Sequence, residues 1–556
     1  MLRGLARAVM FVVVWAGLGA VPWAVADMQI RLKDGRVLTV PVDQDQIESI
    51  TFGKSADGPA ATKRPPAARA ADKARQDAAH VRSAAEAAAR AAAAAARADE
   101  AAATARAAAE KANIERGTAA RAAAEAGKAA VAPPQPSAPR PSPRENGNAT
   151  AGQPAAPRVL TVGEGGMFRV PSEAARVARD GDVVEIRAGT YAGDVAVWQA
   201  RDLVLRGVGG VVRLEAAGMA AEGKGIWVIK GNDTTVENIT FVGCRVPDLN
   251  GAGIRLEGAG LTVRRSRFIE NEIGILTGNN PQSEVLVEYS EFGHNRIDYR
   301  RHEREGRSVA APPGHNIYIG QVGRFTLRFS YMHHAVLGHN VKSRALRNLI
   351  VYNRIGDEKD GRSSYAIDLP NGGWSMIVGN LIQQGVHTDN STMVSHGAER
   401  GNAPGALYVA NNTFVNERGA GTFIFRRTAG PTLVMNNIFA GGGTVLRGSG
   451  TLRTNLVIGK GYGRRLPGGG REKIVALPGT GDLAGNLVAD RAGFVDTAAY
   501  DYRLTAASPA IDAGADPGKA GPDSLVPVSV YSHPMGSAPR PKNGRIDIGA
   551  YEFTGK

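Results

Sequence analysis

The chain has 556 residues and a single cysteine, Cys244, so it can form no intramolecular disulfide and no cysteine-based metal or redox centre. It is too long for one ordinary domain. Of its formal net charge of +14, +5 falls on residues 54–131 and +7 on the 398 residues from Val159 onward; no Lys/Arg stripe interleaved with aromatics is visible, which argues against nucleic acid and suits an acidic polysaccharide.

Residues 1–26 read as a secretory signal. Arg3 and Arg7 precede the apolar run Val9–Val21, and AlaValAla (24–26) offers a small-residue cleavage site. No other segment is long and apolar enough to span a bilayer, so the mature protein is expected to be exported, periplasmic or extracellular, without a transmembrane segment.

Residues 27–53 predict a small β-hairpin element. Two alternating runs flank LysAspGly (33–35), and IleGluSerIleThrPhe (47–52) is a candidate third strand. Residues 54–131 are alanine-dominated, with i,i+4 charge pairs such as Glu86 and Arg90. This predicts a long solvated helix with little to bury, a spacer or a weak self-associating coil. Residues 132–158, with ProProGlnProSerAlaProArgProSerPro (133–143), read as a linker.

From Val159 short apolar strands recur, each carrying Asn or Ser before its last apolar residue. Examples are ValGluAsnIleThrPhe (236–241), ValArgArgSerArgPhe (263–268), LeuArgAsnLeuIleVal (346–351), ValAlaAsnAsnThrPhe (409–414) and ValMetAsnAsnIlePhe (434–439). The last apolar positions fall at 241, 268, 292, 332, 351, 382, 414, 439 and 457, and the widest interval holds an Arg-rich insertion at 299–314. Imperfect repeats of this length without a helical period indicate a parallel β-solenoid over 159–460, with 461–556 as an extension and cap. Asn at one place in successive coils predicts a hydrogen-bonded ladder at a turn.

The opening ThrValGlyGluGlyGly (161–166), a helical 172–186, ArgAlaGlyThrTyrAlaGly (187–193) and the closing SerProAlaIleAspAlaGly (508–514) and ArgIleAspIleGlyAlaTyrGluPhe (545–553) resemble pectin-lyase-like right-handed parallel β-helix proteins. The resemblance implies an all-β, right-handed parallel β-helix capped by a short helix. It does not select an activity, because that fold carries lyases, hydrolases, epimerases, esterases and non-catalytic binders.

The richest segment is HisAsnIleTyrIleGly (315–320), HisAsnValLysSerArg (339–344) and SerTyrAlaIleAspLeuProAsnGlyGly (364–373). Aligned by apolar positions, Ile317, Val341 and Ile367 point inward. Tyr318, Lys342 and Asp368 then stack outward, with Arg344 on the same face and Asn316 and Asn340 beside them. A Lys342–Asp368 pair there would be a surface salt bridge worth under about 1 kcal/mol.

A uronate lyase needs a cation for the carboxylate, a base for the C5 proton and an acid for the leaving oxygen. Lys342 or Arg344 could be the base and Tyr318 or Tyr365 the acid, with His315 and His339 as alternatives for either role. LysSer (342–343), Asn348 and GlyAsn (379–380) resemble the lysine motif of alginate lyases and chondroitinase-B-type lyases, but Asp368 stands where that motif has arginine. Asn371, Trp374, Arg426 and Arg427 are candidate substrate contacts, while Trp198 and Trp227 read as core.

Six of the ten histidines lie between His294 and His339, and HisHis (333–334) with His315 and His339 invites a transition-metal reading; spacing alone does not settle it, and no carboxylate set accompanies them. Asp357, Asp360 and Asp368 are hard oxygen donors of the kind Ca2+ takes. Two readings remain: a lyase-like enzyme acting on an acidic polysaccharide, or a non-catalytic polysaccharide-binding or envelope/adhesive protein.

Overall fold

The structure is a computed structural model that describes residues 26–31, 37–42, 157–297, 314–399, 404–459, 462–465, 471–473 and 485–555. The expected signal segment, alanine-rich helix, linker and third N-terminal strand lie outside these residues. Strands Ala26–Arg31 and Val37–Val42 pair antiparallel, with Arg31 opposite Val37, as the hairpin reading predicts.

The described residues from 157 onward form a separate unit, a parallel β-helix with three faces. The first face stacks eleven parallel strands, from Ala196–Trp198 through His315–Ile319, Val341–Ser343, Ile367–Leu369, Thr392–His396, Thr422–Arg426 and Thr444–Arg447 to Tyr462–Arg465. Arg471–Lys473 adds an antiparallel edge. The second and third faces join into one 22-stranded sheet. Each coil contributes one strand per face, and the alternating side chains that point inward form the core. Trp198 and Trp227 meet edge-on at 5.2 Å, and Phe241, Phe268 and Phe292 stack at 4.9 and 4.5 Å. Cys244 is buried among them, which pushes its thiol up to about 12 and leaves it a small core residue.

The corner between the second and third faces shows why the repeat carries Asn. In coil after coil one residue there adopts a left-handed conformation: Tyr289, Phe329, Tyr352, Gly379, Asn411 and Asn436 have φ of 51°, 54°, 57°, 70°, 52° and 56°. Such residues are costly unless their surroundings over-determine them. The next residue supplies the compensation. Backbone N–H groups of Ser330, Asn353, Asn380, Asn412, Asn437 and Asn455 each donate to the side-chain oxygen one coil on, at 2.9–3.0 Å, ending on Asn486. The expected ladder is therefore present. One repeat was misplaced: the ladder residue of its coil is Asn353 in ValTyrAsnArgIle (351–355), and Asn348 instead bonds Ser343 and Ser375.

Two other expectations change. The cap helix covers only Pro171–Ala175, and Val183–Ala192 is already a strand, because Val183, Val184 and Ile186 are β-branched core residues. In the described tail Tyr462–Arg465 and Leu487–Ala489 continue coils in parallel register. Residues 490–555 return along the outside of the second and third faces in antiparallel hairpins. Asn436 bonds Ala515, Arg347 pairs with Asp523, Tyr352 holds Val528, Tyr289 meets Ser537 and Thr413 holds Ala550.

Candidate functional site

Strand register builds the site. Tyr318 pairs with Lys342, Lys342 with Asp368 and Asp368 with Ser395, one residue per coil on the first face. Ile317, Val341 and Ile367 are fully buried beneath them. The column continues through Phe425 to Arg447, whose guanidinium lies 5.0 Å from the Phe425 ring. On the other side Tyr318 packs against Ala252, Ile273 and Leu276, an apolar shelf.

The pair at the centre is not the exposed bridge expected. Lys342 is 8% exposed and Asp368 3%, with Nζ and Oδ2 3.3 Å apart. Glu399, absent from the sequence candidates, reaches over from the segment after Thr392–His396. Its carboxylate lies 3.6 Å from Lys342 Nζ and 2.7 Å from Arg344 Nη2. Arg344 also donates from Nε to the Tyr318 hydroxyl at 2.9 Å and from Nη1 to Asn371 at 2.7 Å. Lys342 and Arg344 thus hold one carboxylate between them on an open face.

The histidines line the buried side. His315 and His339 stack at 4.8 Å, and His339 lies 5.0 Å from Tyr365. His315 Nδ1 accepts the His339 backbone N–H at 3.0 Å, and His339 Nδ1 accepts that of Tyr365 at 3.2 Å. The proton of each neutral ring therefore sits on Nε2, and in His339 it faces Asp368 Oδ2 at 3.4 Å. Burial, then Lys342, holds His339 down to about 3; burial, His339 and the nearby cations keep His315 well below the usual range. Burial raises Asp368 above the ordinary carboxylate range despite Lys342, and burial then Asp368 raises Tyr365.

Five sequence candidates lie elsewhere. Asn316 and Asn340 turn into the corner between the third and first faces, fully buried. There Asn295 donates to Asn316, Asn316 to Asn340, and Asn340 to Asp357 at 2.7, 2.7 and 3.3 Å. They form a second ladder and contact no outer surface, because the chain rounds the corner before the period-two strand begins. Trp374 starts a second-face strand, with Arg347 over its ring at 3.8 Å and the returning tail beside it. Arg426 is buried, bonded to Ser449 and Gly430, in register with His396 rather than with the column. Arg427 is exposed and bonds the Ala398 carbonyl.

The three aspartates offered as Ca2+ donors do not share a partner. Asp357 accepts from Ser363 and Thr388 in the interior, Asp360 faces His334, and Asp368 faces Lys342. Nor do His333 and His334 join His315 and His339; they end a third-face strand beside His294.

No family model matches the sequence, and no curated protein matches it. Among solved structures, pectate lyase Pel9A is similar at 13% identity and a TM-score of 0.41, over 71% of this chain and 96% of that one. The PL6 family alginate lyase AlyGC is similar at 14% identity and a TM-score of 0.24, over 54% of this chain and 38% of that one. The fold is a parallel β-helix.

Proposed function

We propose that the protein is exported and acts on an acidic polysaccharide laid along the first face, cleaving it by β-elimination. The observation that carries this reading is the carboxylate of Glu399 held between Lys342 and Arg344. A uronate carboxylate entering the face meets the same two cations and takes the place of Glu399.

In this reading Arg344 neutralises the uronate carboxylate, which acidifies the C5 hydrogen. Lys342 Nζ passes one ammonium proton to Asp368, whose proton affinity burial has raised, and the neutral amine removes the C5 proton. The C5 electron pair forms the double bond as the C4–O bond breaks. Tyr318 accepts from Arg344 through its oxygen and keeps its own hydrogen for the leaving oxygen. His339 orients Asp368. Incubating the full chain with a panel of uronate polymers and following the ultraviolet absorbance of the unsaturated product tests this directly. Activity that survives Lys342→Met would overturn the assignment.

A second reading, a non-catalytic polysaccharide-binding or envelope protein, is favoured by a different observation. Both Nδ1 atoms of His315 and His339 are occupied by backbone N–H groups, so neither neutral ring offers a free lone pair to substrate. Tight binding of a uronate polymer without unsaturated product would select it.

A further inference from the structure

At the end of third-face strand Tyr331–His333, the ligand nitrogens of His294, His333 and His334 all lie within 4.8 Å of one another. The hydrogen bonds around them fix where the protons go. His333 Nε2 faces Glu291 Oε1 at 3.4 Å, and His334 Nε2 faces Asp360 Oδ1 at 3.1 Å. A carboxylate accepts only, so each Nε2 carries its hydrogen. The two Nδ1 atoms then present lone pairs to each other, and they are 2.8 Å apart. Two lone pairs at that distance repel unless a cation sits against both.

The surroundings are shaped for this arrangement. Gly293 lies in register with His333, and a Cβ there would stand 2.3–3.0 Å from three atoms of the His333 ring. Only glycine leaves room for the imidazole. Tyr331 stacks on the same ring at 4.1 Å, and Arg267 holds Glu291 at 3.1 Å. Imidazoles whose far N–H groups are held by carboxylates are the usual oriented ligands of transition metals.

We infer that His294, His333 and His334 form a binding site for one divalent transition-metal ion of the zinc class, held through Nδ1 of His333 and His334 and a ring nitrogen of His294. Ligand distances of about 2.0–2.1 Å require the Nδ1 pair to open slightly, which the exposed His294 side of the cluster allows. Three imidazoles leave a fourth position for water or a ligand atom. The donor set is all nitrogen, so Ca2+ and Mg2+ are not its ions.

The test uses the untagged full chain, dialysed against chelator and titrated with Zn2+ by calorimetry, with Co2+ as a visible-absorbance probe. One equivalent should bind, and Co2+ should give the d–d bands of a low-coordinate nitrogen site. His294→Ala and His334→Ala should each weaken Zn2+ at least tenfold. Glu291→Gln, which touches no metal, should weaken it about 10–100-fold. His294 is exposed, so His294→Ala should keep the metal-free thermal midpoint and remains informative if His333 variants fail to fold. Absence of stoichiometric binding by the wild-type chain, as expected if a shared proton alone bridges the pair, overturns the inference. So does unchanged affinity in a His294→Ala/His334→Ala double variant.

Discussion

The Oδ2 atom of Asp368 sits 3.3 Å from Nζ of Lys342, one coil away in register, and both residues are almost wholly buried. Removing either partner therefore strands the other in a poorly solvated place.

Lys342→Ala should cost about 1–3 kcal/mol at neutral pH, the range for a buried polar group left without its partner. The loss should shrink on acidification, because Asp368, raised above the ordinary carboxylate range by burial, takes a proton early. Lys342→Ala/Asp368→Asn should recover part of it. Urea denaturation of the single and double variants measures this; an unchanged midpoint for Lys342→Ala counts against it.

Glu399→Gln removes the carboxylate that competes for Lys342 and Arg344. Its side chain is 49% exposed, so stability should change by less than about 0.5 kcal/mol. Affinity for a uronate polymer should rise about three- to tenfold at low salt, and the gain should fade as salt screens it. Equal affinity of the variant and wild type by calorimetry would remove Glu399 from the site.

Acid should destabilise the solenoid through its neutral histidines. Burial holds His396 at about 4, His339 lies at about 3 and His315 lies well below its ordinary value. All three are depressed relative to an unfolded histidine near pH 6.5. Between those limits the unfolded chain binds more protons, so stability present above about pH 6.5 is lost as pH falls. The slope is up to about 1.4 kcal/mol per pH unit for each group. Asp368 works the other way, since protonation relieves its burial. His396→Gln should flatten the decline between neutral pH and the acid limb of a urea-midpoint series, and parallel curves for variant and wild type would contradict the assignment.

Asn412 sits in the middle of the long ladder. Its Nδ2 donates to Ile377 O, Ala410 O and Asn437 Oδ1 at 2.8, 3.1 and 2.9 Å, and its Oδ1 accepts from Asn380. Asn412→Ala should cost about 2–4 kcal/mol by urea denaturation. Asn371, half-buried with its oxygen on Arg344, should cost under about 1 kcal/mol on the same change.

The sequence made the solenoid legible because its inward residues obey a period of two, and each coil returns after a similar length. Tyr318, Lys342 and Asp368 could be stacked from that pattern alone. Where the chain rounds a corner the pattern stops: Asn316 and Asn340 were placed outside by counting, yet they lie inside. Asn371–Gly373 carries Trp374 round to another face, so closeness in sequence misled. Glu399 had no signal. It comes from an irregular segment after His396, and nothing in its neighbours' spacing marks an acid that reaches back two coils to Lys342. The His294 cluster was half visible: HisHis (333–334) stands out in the sequence, but only the pairing of strand Glu291–Gly293 with Tyr331–His333 brings His294 beside it, in place of His315 and His339.

The returning tail changes how this molecule can come apart. A stack whose coils touch only their neighbours frays from its ends, one rung at a time. Here Ala515 is tied to the coil of Asn436, Ser537 to the coil of Tyr289 and Ala550 to the coil of Thr413. Rungs far apart in the stack are lashed by one strap, so peeling the last coil loosens several others at once. Under a mechanical load along the axis, the solenoid between Tyr289 and Asn436 should yield as a single block rather than as a series of small steps.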